Sequence, residues 1–211
     1  TSFMAGFVSS TSATQSLAQR SKHTKFVNHL IGAAILANLA SFLQIFLLVG
    51  PLNIQWLLAI APSIFIMVAT AAIITYFFFK QKEPKDEEDT EAKKATAIFS
   101  LLPALKFAGL LIIIKITTKI CLIEFGQAGF LISSVIASFA GLDAIIVTLA
   151  DMAGRTITFE FAFLTFMLVN TTNLLSKSLY SYLQGNRAFA VKFLISVLIV
   201  AAAGASWLLF I

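Results

Sequence analysis

Residues 55–79 read QWLLAIAPSIFIMVATAAIITYFFF, without one Asp, Glu, Lys, Arg or His. A helix needs about 20 mostly apolar residues to cross the hydrocarbon core of a bilayer, and this stretch exceeds that length. An apolar surface on all sides of a helix requires burial in protein or in lipid. The same pattern recurs outward along the chain. Residues 26–49 carry no formal charge. Residues 98–121 are interrupted by Lys106 and Lys115, and residues 126–150 by Asp143. Residues 158–184 carry Glu160 and Lys177, and residues 188–211 carry Lys192. Residues 2–18 are shorter and hold Ser9, Ser10, Thr11, Ser12 and Thr14, which reads as a broken or truncated span. The pattern predicts an all-α polytopic membrane protein of about seven transmembrane helices.

Composition agrees. Charged residues make up 12% of the chain against 59% hydrophobic ones, whereas soluble domains run at about 25% and about 45–50%. So few charges cannot cover a water-facing surface. The excess of basic residues forms no nucleic-acid stripe and fits membrane orientation better. The expected partners are the lipid bilayer and a small ion or solute, with no nucleic acid and no cofactor. The single cysteine, Cys121, allows no intrachain disulfide. No signal peptide is visible before residue 18. The chain opens inside an apolar pattern without Met, which reads as a segment of something longer.

Turn signals separate the spans at Gly50-Pro51-Leu52-Asn53 and at Gly185-Asn186. Residues 80–97 form the one hydrophilic stretch, of mixed charge, and read as a solvated linker. Seven alternating spans put Arg20, Lys22, Lys25, the linker and Arg155 on one face. The 50–54 turn, the 122–125 turn and Arg187 fall on the other. The first face is richer in Lys and Arg, so the linker and the C-terminus are expected in the cytoplasm of an inner-membrane protein.

The shift that places Asn38 on Asn170 also lays residues 7–18 on residues 139–150 and brings the Gly50 turn close to the Gly185 turn. This divides the chain into a first repeat at 1–79, the linker, and a second repeat at 98–211. The second copy has four spans and the first three, so the first copy lacks its first helix. An even number of spans per copy predicts two copies of the same orientation. A cavity closed by a preceding membrane segment, or by a second copy of the chain, is a corollary.

Polar groups inside the spans are the candidate site. An ionisable group at the bilayer centre costs roughly 2.5–3.5 kcal/mol on insertion scales. Asp143 follows Gly141, which permits a helix break, and it either faces a polar cavity or caps a half-helix. Ser9, Ser10 and Thr11 occupy the matching place in the first copy. Their hydroxyls either cap the second half of a broken helix or bond their own carbonyls. Two half-helix N-termini meeting near the midplane suit an anion, whereas Asp143 suits a cation. Asn38, Asn170, Thr171 and Asn173 either line the same cavity or join helices. Lys106 and Lys177 are the deep cations, and one of them is expected to pair with Asp143 or Glu160. The identity of any metal stays open.

The same segments carry a family resemblance. Gly6-Phe7-Val8-Ser9-Ser10-Thr11 with Leu17-Ala18 resembles the GLVSST…LA signature of the bacterial membrane domain-of-unknown-function family 4010. The likeness continues at Pro103-Ala104-Leu105-Lys106, Phe125-Gly126-Gln127-Ala128-Gly129, Asp143-Ala144-Ile145 with Leu149-Ala150, and Asn170. That domain commonly follows an MgtC/SapB domain. The resemblance implies a membrane location and a link to magnesium homeostasis, and no established activity. The family often has an acidic residue two positions before the matching Asp. Here that position is Gly141, so a two-carboxylate cation site loses one ligand.

These readings favour a transporter or channel for a small ion or solute, its site between the broken helices. The alternative is a non-conducting regulatory or assembly subunit in magnesium homeostasis. An enzyme is not expected, because no nucleophile stands with a base at usable spacing.

Overall fold

Backbone polar groups find no water in lipid, so a spanning chain must satisfy them within helices. The computed structural model describes residues 2–24, 26–81, 101–139 and 141–210. Residues 82–97 of the expected linker and 98–100 at the start of the next expected span lie outside the described residues, and so does the Lys106 side chain. The described residues form α1 (Ser2–Arg20), α2 (Val27–Val49), α3 (Ile54–Lys80), α4 (Leu101–Ser138), α5 (Asp143–Met152), α6 (Phe159–Gln184) and α7 (Arg187–Ala205). A short 3-10 helix, Ser206–Phe210, follows. Among them, Val27–Val49, Ile54–Lys80, Gly109–Ser138 and Arg187–Leu209 are long and apolar enough to cross a membrane. Large apolar side chains such as Leu58, Phe65, Ile113, Ile136 and Ile195 remain exposed. In water they would form a sticking surface, and in lipid they are solvated. The protein is a helical membrane protein.

The starts of α3, α6 and α7 are set by side-chain caps. Asn53 accepts from the Trp56 N–H at the head of α3, and Thr158 accepts from the Phe161 N–H at the head of α6. Asn186 does the same for α7 through the Ala188 N–H. The apolar core between the helices includes Trp56 edge-on to Phe166, with Ile60, Ile64 and Met67 fully buried on α3.

α4 does not run straight. Gly126 has φ 64 and ψ −155, a region open essentially only to glycine. A Cβ added at Gly129 would lie 2.5 Å from the Cys121 carbonyl oxygen. Eight residues of unbroken helix rise about 12 Å, so the chain folds back on itself at Gly126. The helix continues through 122–125, where a turn was expected, and reverses one residue later.

The second limb of α4, residues 127–138, runs parallel to α6. Phe130 meets the Phe161 ring near its start, and Ser138 meets Asn173 further along. α5 then returns antiparallel to α6, ending where Gly154 packs under Phe159. Residues 126–150 are therefore not one crossing span. They are two half-helices that enter and leave by the same face, the first ending at Ser138 and the second starting at Asp143.

Interhelical bonds fix the two faces. At one, Gln19 donates to Gln184 and the Asn186 N–H donates to Ser21 Oγ. Lys192 also donates to Asn28 there. At the other, Asn53 Nδ2 donates to the carbonyls of Ala150 and Ala153. Arg187 thus shares a face with Arg20, and Arg155 shares a face with the 50–53 turn, reversing both sequence assignments. α3 ends at Lys80 on the Arg20 face. α7 starts at Arg187 on that face and runs toward the Asn53 face, where Gly204 accepts from Ser63. The start of the linker and the end of α7 therefore lie on opposite faces, and cannot both be cytoplasmic.

The orientation of the counterpart helices is also corrected. Ser63 touches Met167 and Met67 touches Asn170, so α3 and α6 are parallel. α2 is antiparallel to α3, with Gly32 of its first turns against Phe79 at the end of α3. Hence α2 and α6, which the sequence shift superposes, run in opposite senses. Counting spans missed this because residues 127–138 and α5, counted together as one crossing, return to the face they entered by.

Replacing Gly126 with Ala forces a side chain into the glycine-only region and should cost about 1–3 kcal/mol. Gly109→Ala, in the helical first limb with nothing within 4 Å of the new Cβ, should instead gain about 0.5–1 kcal/mol. Thermal unfolding of the two variants in detergent, beside the wild type, reads both.

Candidate functional site

Two interruptions face each other across the molecule. In α1 the backbone at Ser9 is extended, φ −167 and ψ 103, and two helical pieces meet there. Ser9 Oγ accepts the Ser12 N–H at 3.2 Å, capping the second piece. At the other interruption, Leu142 occupies the N-cap of α5 without a side-chain bond, and Asp143 stands in the first turn. Asp143 is therefore not the cap. Its carboxylate sits beside the positive end of the α5 dipole, where negative charge is favoured. The last carbonyls before the break also need a donor, and Asn173 Nδ2 supplies one to Ser138 at 3.1 Å.

Lys177 of α6 lies between the interruptions and is 2% exposed. Its ammonium donates to Ser10 Oγ and to Asn38 Oδ1, each at 2.8 Å. Asn38 Nδ2 in turn donates to Thr14 Oγ1 and to the Ala34 carbonyl, and Thr14 Oγ1 donates to the Ser10 carbonyl. One cation thus ties α6 to the break in α1 and to the middle of α2. An ammonium has three protons to donate, and two are used. Asp143 is the charge that acts on Lys177, and Lys177 the charge that acts on Asp143. No ion pair within 4.0 Å joins them, and among the described residues the Asp143 carboxylate accepts no hydrogen bond.

The whole arrangement falls within residues 1–185, which match the model of one family, described as Domain of unknown function (DUF4010). The chain belongs to this family. No curated protein and no solved structure matches it. The match takes in both interruptions and the Lys177 network, and ends at the turn before α7. Among the described residues, no three His, Cys, Asp or Glu side chains gather into a metal-holding group.

The structure joins Ser10, Asn38 and Lys177 directly and sets Asp143 opposite. Asn173 serves the break itself. Asn170 is buried on the same side of α6, but its amide donates to Met67 Sδ and its Oδ1 has no partner. Thr11 and Thr171 are half-buried, and Ser9 bonds Ser12 rather than the network. Glu160 is exposed in the first turn of α6, far from Lys177, so it is not that lysine's partner. Lys115 bonds Asp151 at 2.5 Å. Thr14 was missed as a site residue. Its signal was present: it stands four residues after Ser10, on the same helix face. Asn53 was read only as a turn residue, and no sequence spacing links it to Ala150 or Ala153.

Hydrogen bonds to charged groups contribute about 1.5–3 kcal/mol. Asn38→Leu should destabilise the protein by that amount, and by much less once Lys177→Met is in place. Equal losses in both backgrounds, measured by thermal unfolding, would show that Asn38 and Lys177 do not act together.

Proposed function

We propose that the chain is a membrane transporter for a small ion or solute, with its site between the interrupted helices around Lys177 and Asp143. The buried Lys177 ammonium supports this most directly. Intramembrane charges are costly and mark ion or substrate pathways. Discontinuous helices whose ends meet near the midplane are the usual frame of a transport site. Ser10, Asn38 and Asp143 contribute oxygens, and Lys177 and the start of α5 contribute positive charge. Such a site holds an ion of either sign, according to whether Asp143 or Lys177 is released to meet it. Arg20, Lys22, Lys80 and Arg187 share one face, and the Lys/Arg bias assigns that face to the cytoplasm.

A regulatory or assembly role draws on the same network, since Lys177 locks α1, α2 and α6 together. The two readings separate in liposomes carrying purified protein, assayed over a panel of cations and anions. Transport predicts flux that falls at least tenfold in Asp143→Asn and in Lys177→Met, and that survives Glu160→Gln. No flux for any ion from folded, inserted wild type would favour the locking role.

A further inference from the structure

The two closures seen at opposite faces are images of one another. Under the shift that places Asn38 on Asn170, Asn53 falls on Gly185, Ala18 on Ala150 and Ser21 on Ala153. At the Asn53 face, the turn between α2 and α3 holds the end of α5 through Asn53 to Ala150 and Ala153. At the Arg20 face, the turn between α6 and α7 holds the end of α1. The Asn186 N–H donates to Ser21 Oγ at 2.9 Å, and a Cβ added at Gly185 would lie 3.0 Å from the Ala18 carbonyl oxygen. Each contact joins an element of one half to an element of the other, and the shift carries one contact onto the other.

Larger elements follow the same rule. α1 packs on α6 and its image, α5, packs on α2, while α3 and its image α7 pack on each other. The interruption at Ser9 falls on Gly141, inside the interruption before α5. Because α2 and α6 run in opposite senses, the axis relating the halves lies in the membrane plane. An operation about such an axis exchanges the two faces. If one half adopts the conformation of the other, a chain closed at one face becomes closed at the opposite one.

We infer that the chain is an inverted repeat, and that the closure of Asn53 on Ala150 and Ala153 and that of Gly185–Asn186 on Ala18 and Ser21 are two gates that open in alternation. Both are made at once in this structure, which is the occluded arrangement. The inference builds on the transport reading, and the alternation is measurable without flux.

The test places pairs of spin labels in a Cys121→Ser background and reads distances by electron paramagnetic resonance in lipid. One pair, Gln19→Cys with Gln184→Cys, reports the Arg20 face. The other, Gln55→Cys with Arg155→Cys, reports the Asn53 face. Asn53→Ala weakens one gate and Ser21→Ala the other. Asn53→Ala should raise the long-distance fraction at its own face at least twofold and lower it at the Arg20 face. Ser21→Ala should do the reverse, and serves as the independent variant if Asn53→Ala does not fold. Widening at both faces together, or at one with no response at the other, overturns the inference. Coupled distances in a protein that passes no ion would uphold the gates and reject transport. Flux without coupling would do the opposite.

Discussion

A helix interrupted inside a bilayer leaves N–H and C=O groups that no water can satisfy, and the rest of this molecule is arranged around that constraint. Ser9 answers it for the second piece of α1. Asn173 answers it for the carbonyl end at Ser138, reaching across from α6. The same helix carries Lys177, whose ammonium donates to Ser10 and Asn38. α6 is thus the element on which both breaks depend. It is also less apolar than α2, α3 and α7, because the residues serving the breaks replace apolar ones along one stripe.

What the sequence revealed and what it hid follow from range. Long charge-free runs are local, so the helices of α2, α3 and α7 were legible from composition. The breaks were legible too, since clustered hydroxyls at 9–12 and a glycine ahead of Asp143 are local signals. The reversal at Gly126 falls one residue past the turn expected at 122–125, with Glu124 and Gln127 beside it. What was hidden is that 127–138 and α5 leave by the face they entered, since the run 126–150 is long enough to be a single crossing. The sidedness of Arg155 and Arg187 failed for a related reason. Alternating spans assume that every apolar stretch crosses, whereas 127–138 and α5 go in and come back. One wrong crossing inverts everything after it, including the relation between the two halves.

The candidate site was legible as residues but not as a network. Asn38, Lys177 and Ser10 each drew attention as polar groups in apolar surroundings. Nothing local joined them, because they come from three helices far apart in the chain. The partner chosen for Lys177 in advance was acidic, by the ordinary logic of charge pairing. The structure instead gives the ammonium two neutral oxygens and holds Asp143 back from it. Membership of the family carries no activity with it, so the chemistry of this cluster is the best guide to what the protein handles.

Under the shift that places Asn38 on Asn170, the two halves do not match in charge. Ser10 and Thr14 answer to Leu142 and Ile146, and Lys177 answers to Ile45, so the counterpart of the polar cluster is apolar. Asn170 keeps the position of Asn38 with an unpaired Oδ1. A perfectly two-fold machine has no preferred direction, since its two states have the same energy. In the alternation proposed above, a single lysine on one side removes that degeneracy, so the two face-exchanged conformations would differ in energy.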